Sequence, residues 1–417
     1  MNPALALYRA AWEPALALLR AMAAAERLFG GTPWPARWRP SERLELPRLA
    51  PGPRLWLHAA SLGECKGLWA FARTLSSLPC GFVLTANTVE ARDFLRARAA
   101  AAEDPARWHA RLAPPDHPRS VRRFLEACGA RGLVLFEVEL WPNFIRESRR
   151  AGVPVFWISA RLTRRAERRY GVLRSAWRGL LRDLAWTQAH GAREAEALKK
   201  SGCEPVEVGG DLRGLAYLDA APRDPGPREV AARAGFAFVS FHADELGALK
   251  RLVANTREPV YVLPRKPGEF ARFASELAPL GFEPVSKNPG ATRQIVDVFG
   301  RTREILARVR GAVVGGSFAG HGGHNLWEPL AAGVPAAIGP RHESQEYLAA
   351  RLHAQGLLRV VKRIPGDGVE ALFPRSSAPD APLALENAAA RERALLRAAA
   401  EAARAAIKQR VSFGEAR

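Results

Sequence analysis

The chain has 417 residues, with 62 Lys and Arg against 42 Asp and Glu, a formal charge of +20 and a pI near 10.9. With 48% hydrophobic and 25% charged residues it can bury sizeable cores, which excludes disorder, collagen and coiled coil as overall descriptions. The length suits two ordinary domains or one large one, and the charge calls for an anionic partner: nucleic acid, an anionic membrane surface or a phosphorylated substrate.

Residues 4–29 are apolar and predicted helical, but they carry Arg9, Glu13, Pro14 and Arg20. No uncharged stretch reaches the roughly 18–20 residues of a spanning helix, and no cleavable signal peptide is visible. On a helical wheel Arg9, Glu13, Arg20 and Arg27 fall in one narrow wedge. That pattern fits a helix lying in a membrane interface, or an ordinary helix packed on its own domain. A Pro-, Trp- and Arg-rich connector (30–53) follows. Strands are then predicted at 54–61, 81–85, 132–136 and 153–159, with helices at 68–75, 89–102 and 142–151. The Arg-rich stretch 161–182 reads as a surface helix.

The pattern restarts after residue 205, with strands at 206–208, 237–241, 260–263, 294–298, 312–315 and 334–338. Helices are expected at 244–255, 268–277 and 302–308, a loop at 222–227, and a closing helix at 384–410. Alternating strands and helices predict an α/β fold of two doubly wound parallel sheets facing each other across a cleft. The expected divisions are an N-terminal helix and connector (1–45), a first domain (46–205), a second (206–395) and a closing helix (396–417). The cysteines (Cys65, Cys80, Cys128, Cys203) lack metal-binding spacing and read as reduced thiols.

In doubly wound sheets ligands bind at the carboxyl ends of strands, so residues in those loops carry weight. The richest loop runs from Val314 to Pro329. It holds Gly315, Gly316, Ser317, Gly320, Gly322, Gly323, His321 and His324, with a helix expected to start near Asn325. Glycines admit close approach of backbone N–H groups to an anion, a helix N-terminus adds positive potential, and Glu328 could accept two ribose hydroxyls. The loop is neither a Walker loop nor GxGxxG, and no HExxH supports a metal at the histidines.

Ser61-Leu62-Gly63-Glu64 ends the first strand. Glu64 reads either as a general base toward an acceptor hydroxyl or as a first-turn carboxylate on a helix dipole. Glu137 and Glu139 alternate, so on extended chain they would share a side. That suits paired-carboxylate chemistry or, the reading preferred here, a hydrogen-bonding scaffold. Arg265 and Lys266 follow a strand and could bind phosphate or form a solvated turn. Ser240-Phe241-His242 ends another strand, where a buried histidine is the plainer reading.

These segments together resemble the transferases that attach 3-deoxy-D-manno-oct-2-ulosonic acid (Kdo) to lipid A. The family's S-V-G-E looks like Ser61 to Glu64, E-T-E-L-W-P-N like Glu137 to Asn143, and N-A-R-L-S like Ser159 to Thr163 with Arg161. G-N-L-K resembles Gly210-Asp211-Leu212-Arg213, S-T-H-x-G-E resembles Ser240 to Glu245, and V-P-R-H-P resembles Leu263 to Pro267. D-T-x-G looks like Asp297 to Gly300, and G-G-H-N-x-x-E-P matches Gly322 to Pro329. The matches keep family order over about residues 50–340, and the E-x-E-L-W-P-N and G-G-H-N motifs are the specific ones.

The resemblance implies a GT-B glycosyltransferase with CMP-Kdo as donor and no required metal or other cofactor. It implies Glu64 as base, deprotonating a hydroxyl of a lipid A precursor so that attack at the anomeric carbon inverts it and expels CMP. Arg265, Lys266, Ser240, His242, Ser317, Gly322, Gly323, His324 and Asn325 would hold the donor. Glu328 would hold the ribose, and Asp297 and Gly300 would approach the cytosine. Ser61, Gly63, Glu137, Glu139, Arg161 and Asp211 would support the cleft.

The chain departs from the family pattern at Lys266 (usually His), Asp211 (Asn), Phe241 and Val298 (both Thr) and Asp244 (Gly). A transferase or epimerase using a UDP-sugar is the alternative. No RNP, KH, zinc-finger or helix-turn-helix signature supports nucleic-acid binding. The expected location is the cytoplasmic face of the inner membrane, as a peripheral protein against anionic lipid and a phosphorylated acceptor.

Overall fold

The computed structural model describes residues 3–28, 39–162, 174–219, 233–298, 300–374 and 381–414. They form two compact units. One comprises residues 1–216 with 395–417, the other residues 217–394.

The first unit is built on strands β1 (Arg54–His58), β2 (Gly81–Ala86), β3 (Trp108–Leu112), β4 (Ala130–Phe136), β5 (Val155–Ala160), β6 (Trp186–Ala189) and β7 (Val206–Val208). They lie in the order β3-β2-β1-β4-β5-β6-β7, every pair parallel. Residues of β1 and β5 are buried without alternation, as expected of parallel strands covered by helices on both faces. Trp56, Phe124, Phe144, Leu133 and Trp157 belong to the core on one side.

The second unit repeats the plan with β8 (Phe236–Phe241), β9 (Val260–Pro264), β10 (Glu283–Pro284), β11 (Arg293–Ile295), β12 (Gly311–Val314), β13 (Ala336–Ile338) and β14 (Leu358–Val360). Their order is β10-β11-β9-β8-β12-β13-β14, again all parallel. Phe236, Phe238, Leu249 and Phe273 are fully buried in its core. Strand order reverses between β1 and β4 in one sheet and between β8 and β12 in the other. Such reversal points are where ligands bind in doubly wound sheets, at the carboxyl ends of the strands.

Several expectations change. Residues 206–208 do not open the second domain: Val206 pairs with Thr187, making β7 the last strand of the first sheet. A three-residue edge strand looks the same whichever sheet it joins, so only the ladder decides. The closing helix begins at Ala381, before the expected start, and its residues from Leu395 onward group with the first unit. The N-terminal helix, Pro3–Leu28, is also part of the first unit rather than a separate region.

The connector contains a short helix, Pro40–Leu44, whose Glu42 accepts from Leu112 N at 3.0 Å and Arg96 Nη2 at 2.9 Å, covering the edge strand β3. Strands β3, β6, β10 and β14 were not foreseen, because they are short or interrupted by charge. Of the Arg-rich stretch, Arg174–Arg182 is helical with Trp177 and Leu181 buried, while 163–173 lie outside the described residues, as does the expected loop at 222–227. All four cysteines are buried and unpaired.

Phe238 on the central strand β8 is fully buried. Phe238→Ala is expected to cost about 3–5 kcal/mol, seen as a lower urea midpoint for the second unit.

Candidate functional site

In the first unit, the turn after β1 carries Ser61 at the N-cap of helix Leu62–Thr74 and Glu64 at its third position, a reciprocal capping box. Glu64 Oε2 accepts from the backbone N–H of Ala60 at 2.9 Å and of Ser61 at 2.8 Å. Glu64 is half-buried. Burial, then the charge of Glu139, raise its carboxyl above the usual range against the opposing hydrogen bonds from Ser61 and Ala60. The helix-capping role and a raised basicity thus coexist in one side chain, the cap fixing its orientation. Gly63 lies exposed in the same first turn, with open space where a Cβ would be.

Glu137 and Glu139 do not share a side. The strand ends at Phe136 and Glu137 adopts φ +60°, a left-handed conformation that costs a non-glycine residue about 1–2 kcal/mol and breaks the two-residue period. The two carboxylates enter separate networks. Glu137 is fully buried, with Arg213 Nε 3.1 Å and Arg161 Nη1 3.7 Å away. Burial raises it to about 7, opposed by Arg213 and reinforced by Asp211 and Glu64.

Asp211 receives Arg213 in bidentate fashion at 2.9 and 2.7 Å, and His190 Nε2 lies 3.5 Å from it. Burial drives His190 down to about 3, leaving it neutral. Glu139 behaves oppositely. Burial would raise it, but bonds from His58 (3.3 Å), Trp141 Nε1 (2.5 Å) and Asn87 (3.3 Å) outweigh that and lower it.

His58 is oriented in turn. Trp56 Nε1 donates to Thr85 Oγ1 at 2.8 Å, and Thr85 Oγ1 lies 2.9 Å from His58 Nδ1. Because an ionised carboxylate only accepts, His58 donates from Nε2 to Glu139. Glu139 is therefore a held anion within a hydrogen-bonding network, and the alternative reading, a carboxylate pair with Glu137, is not built.

In the second unit the glycine loop after β12 works differently from expectation. Buried Glu245 accepts from Gly316 N at 2.7 Å, Phe318 N at 2.9 Å and His242 N at 3.0 Å. Amides read from sequence as an anion cradle are thus taken by an internal carboxylate. A Cβ at Gly315 would lie 2.7 Å from Phe241 Cα, so this glycine serves close approach of β8 and β12. Ser240, at φ +59°, marks the register shift that turns the end of β8. Ser317 is also spent internally, donating to Val314 O at 2.7 Å and accepting from Gly339 N at 2.8 Å.

The helix begins at Trp327, not Asn325, and has only five residues, so its dipole adds little. Glu328 stands in its first turn. Gly322 and Gly323 have φ +83° and +81°, and Asn325 Nδ2 is buried without a hydrogen-bond partner.

Three histidines gather at this loop. His242 Nε2 lies 2.7 Å from His324 Nε2, and the His321 ring stacks on His242 at 3.9 Å. His321 Nε2 is 2.9 Å from Asp244, the residue standing where the family has Gly. Among the described residues no group of three or more metal-ligating side chains is placed to hold an ion. Arg265 and Lys266 are exposed after β9, with Arg265 close enough to depress His324. Asp297 is held by Ser286, whose N–H donates at 3.1 Å and whose hydroxyl also bonds it, so its carboxylate shapes the loop before Gly300. Phe299 lies outside the described residues, and Val298 is exposed.

A family model described as 3-deoxy-D-manno-octulosonic-acid transferase (kdotransferase) matches residues 35–215. The "3-deoxy-D-manno-octulosonic acid transferase" of Bordetella pertussis is 32% identical over 328 residues, covering 73% of this chain and 75% of that protein. The chain belongs to the Kdo transferase family. The Haemophilus influenzae protein of the same name is 26% identical, covering 73% of this chain and 75% of its own.

Among solved structures, UDP-GlcNAc 2-epimerase from Neisseria meningitidis bound to UDP-GlcNAc matches with TM-score 0.58 and 11% identity, covering 86% of this chain and 100% of that one. MurG of Acinetobacter baumannii matches with TM-score 0.51 and 12% identity, covering 86% and 100%. These likenesses show the fold, which is of GT-B type.

The Kdo transferase motifs are thus divided between the two units. Ser61, Gly63, Glu64, Glu137, Glu139, Arg161 and Asp211 belong to the first unit. Ser240, His242, Arg265, Lys266, Ser317, Gly322, Gly323, His324, Asn325, Glu328, Asp297 and Gly300 belong to the second. Sequence reasoning assigned no role to His58, His190, Arg213 or Glu245. Arg213 and Glu245 stood inside recognised motifs, while His58 and His190 are lone histidines at strand ends with no local signal.

Burial, then Arg265, His242 and His321, push His324 from 6.5 down to about 3. An unfolded imidazole takes a proton near 6.5 that the folded one refuses until about 3, so stability is full above that window and falls as pH drops through it. His324→Gln should flatten the fall of Tm across this range; an unchanged slope would contradict the assignment.

Proposed function

We propose that this Kdo transferase moves Kdo from CMP-Kdo to a hydroxyl of a lipid A precursor, with Glu64 as base. The observation that carries the reading is Glu64 itself. It is oriented by its own capping bonds, raised in basicity, and placed at the switch point of the first sheet in a chain of this family. A base must be aimed and must not be too acidic, and both conditions hold here.

The labour divides between the units. The second binds the nucleotide: Arg265 and Lys266 face the donor phosphate, Asn325 offers its unpartnered Nδ2, and Glu328 receives the ribose hydroxyls. The first activates the acceptor. Glu64 takes the hydroxyl proton, the acceptor oxygen bonds to the anomeric carbon from the face opposite the phosphate, and the carbon–oxygen bond to phosphate breaks. CMP leaves with that electron pair, its charge met by Arg265. No step in this sequence calls on a metal.

A peripheral location on the cytoplasmic face of the inner membrane is part of the proposal, and the N-terminal helix supports its membrane-surface contact. Among the described residues no helix is long and apolar enough to cross a membrane. Leu7, Leu18 and Leu28 are 73%, 59% and 80% exposed, and Ala10, Ala11, Pro14, Ala17, Ala21 and Ala24 are exposed on the same side. Arg20 flanks this apolar stripe, as an interfacial helix against anionic lipid requires.

Glu64→Gln should retain CMP binding, read as a thermal shift larger for CMP than for UDP, and lose transfer by about 10²–10⁴-fold with CMP-Kdo and a tetra-acylated lipid A precursor. Full transfer in the variant would remove Glu64 as the base, and a larger shift with UDP would favour a UDP-sugar. Leu7→Ser with Leu18→Ser should reduce sedimentation with anionic vesicles severalfold without lowering Tm, since neither side chain is buried.

A further inference from the structure

The polar side of the N-terminal helix is turned toward a particular place in the first unit. Tyr8 OH donates to Asp116 Oδ2 at 2.7 Å, and Arg9 Nε donates to Asn143 Oδ1 at 3.2 Å. Arg9 also pairs with fully buried Glu147, and Glu13 receives His117 at 3.1 Å. Asp116 in turn accepts from the backbone N–H of Asn143 at 3.1 Å and of Phe144 at 2.8 Å, and Asn143 Nδ2 donates to Asp116 O at 2.5 Å. These amides open helix Pro142–Arg150, which has no side-chain cap at its own N-cap residue, Trp141. Asp116, 26 residues upstream of that helix, supplies the missing acceptor.

The turn that ends at Trp141 contains Glu137 and Glu139, with Trp141 itself donating to Glu139. Glu137 is held there in a left-handed conformation, a state that persists only when its surroundings enforce it. One end of the turn is fixed by strand β4. The other is fixed by Asn143, which is buried and held by Asp116 and Arg9.

We propose that the N-terminal helix positions the Glu137–Trp141 turn of the acceptor side, with Tyr8 and Arg9 acting as positioning residues through Asp116 and Asn143. The helix that presents an apolar stripe outward thereby also sets the carboxylate network beside Glu64. The proposal rests on the reading of that network as the acceptor side.

The test uses the full chain in detergent micelles, so that vesicle binding plays no part. Tyr8→Phe and Arg9→Gln are expected to lower kcat about tenfold while KM for CMP-Kdo and the affinity for CMP stay within about twofold. Glu26→Ala serves as the control for lost stability, because it removes a different docking bond of the same helix, from Ser41 N at 3.0 Å. It should leave kcat unchanged.

Hydrogen exchange gives a readout independent of transfer. The amides of Asn143 and Phe144 should exchange faster in Tyr8→Phe and not in Glu26→Ala. Wild-type kcat and exchange in Tyr8→Phe and Arg9→Gln, or equal losses in the control, would overturn the proposal. Absence of transfer by the wild-type chain would instead fail the functional reading and leave the exchange result to decide the positioning.

Discussion

Backbone amides released at the carboxyl ends of parallel strands need acceptors, and both units solve this with a carboxylate from the adjoining turn. After β1 the donors are Ala60 and Ser61 and the acceptor is Glu64; in the second unit they are His242 after β8 and Gly316 and Phe318 after β12, and the acceptor is Glu245. Both carboxylates stand three residues after an N-cap, in capping boxes on the first strand of each sheet. A hydrogen bond to a charged acceptor contributes about 1.5–3 kcal/mol, so either loop would lose its shape without its glutamate. The same device serves different ends. Glu245 is fully buried and saturated by three amides, whereas Glu64 is half-buried beside Glu139 and keeps a raised basicity.

Around Glu64 the carboxylates are separated by their partners rather than by distance from solvent. Glu137 is buried with guanidinium groups that do not fully offset its desolvation, and its carboxyl rises to about 7. Glu139 is buried with three aimed donors and falls below its ordinary range. Burial acts on both in the same direction, so hydrogen-bond geometry decides the outcome. That geometry follows from the positive φ at Glu137, which turns the two side chains into different networks. In the second unit His324 shows the complementary effect: burial and neighbouring cations keep it uncharged.

Much of this was legible along the chain. Unbroken apolar runs such as 133–136 and 236–239 announced buried parallel strands, and glycine, histidine and glutamate at their ends announced the loops. What misled was local inference about direction and purpose. Glu137 and Glu139 alternate in sequence, but alternation predicts a shared side only on extended chain, and the chain is not extended there. Gly315 and Gly316 suggested an anion cradle, yet Gly315 is small because Phe241 passes beside it, and the Gly316 amide is already bonded. The boundary at 205 failed because β7 pairs with a strand whose neighbour in sequence carries no mark of it. Asp116 and His58 were invisible, since a lone Asp or His gains its meaning from donors far along the chain.

The sequence by itself determined the fold class, the position of the loops that carry chemistry, and, through motifs in fixed order, the family and its candidate base. Apolar periodicity and local turn chemistry are short-range properties, and residues within one strand or turn suffice to express them. Tertiary structure alone decided which amides remained for a ligand, which carboxylates are held as anions, and where the N-terminal helix turns its polar side. Those outcomes depend on desolvation and on partners brought close only by folding: Arg213 to Glu137, Glu245 to Gly316, and Tyr8 to Asp116 across 108 positions of chain.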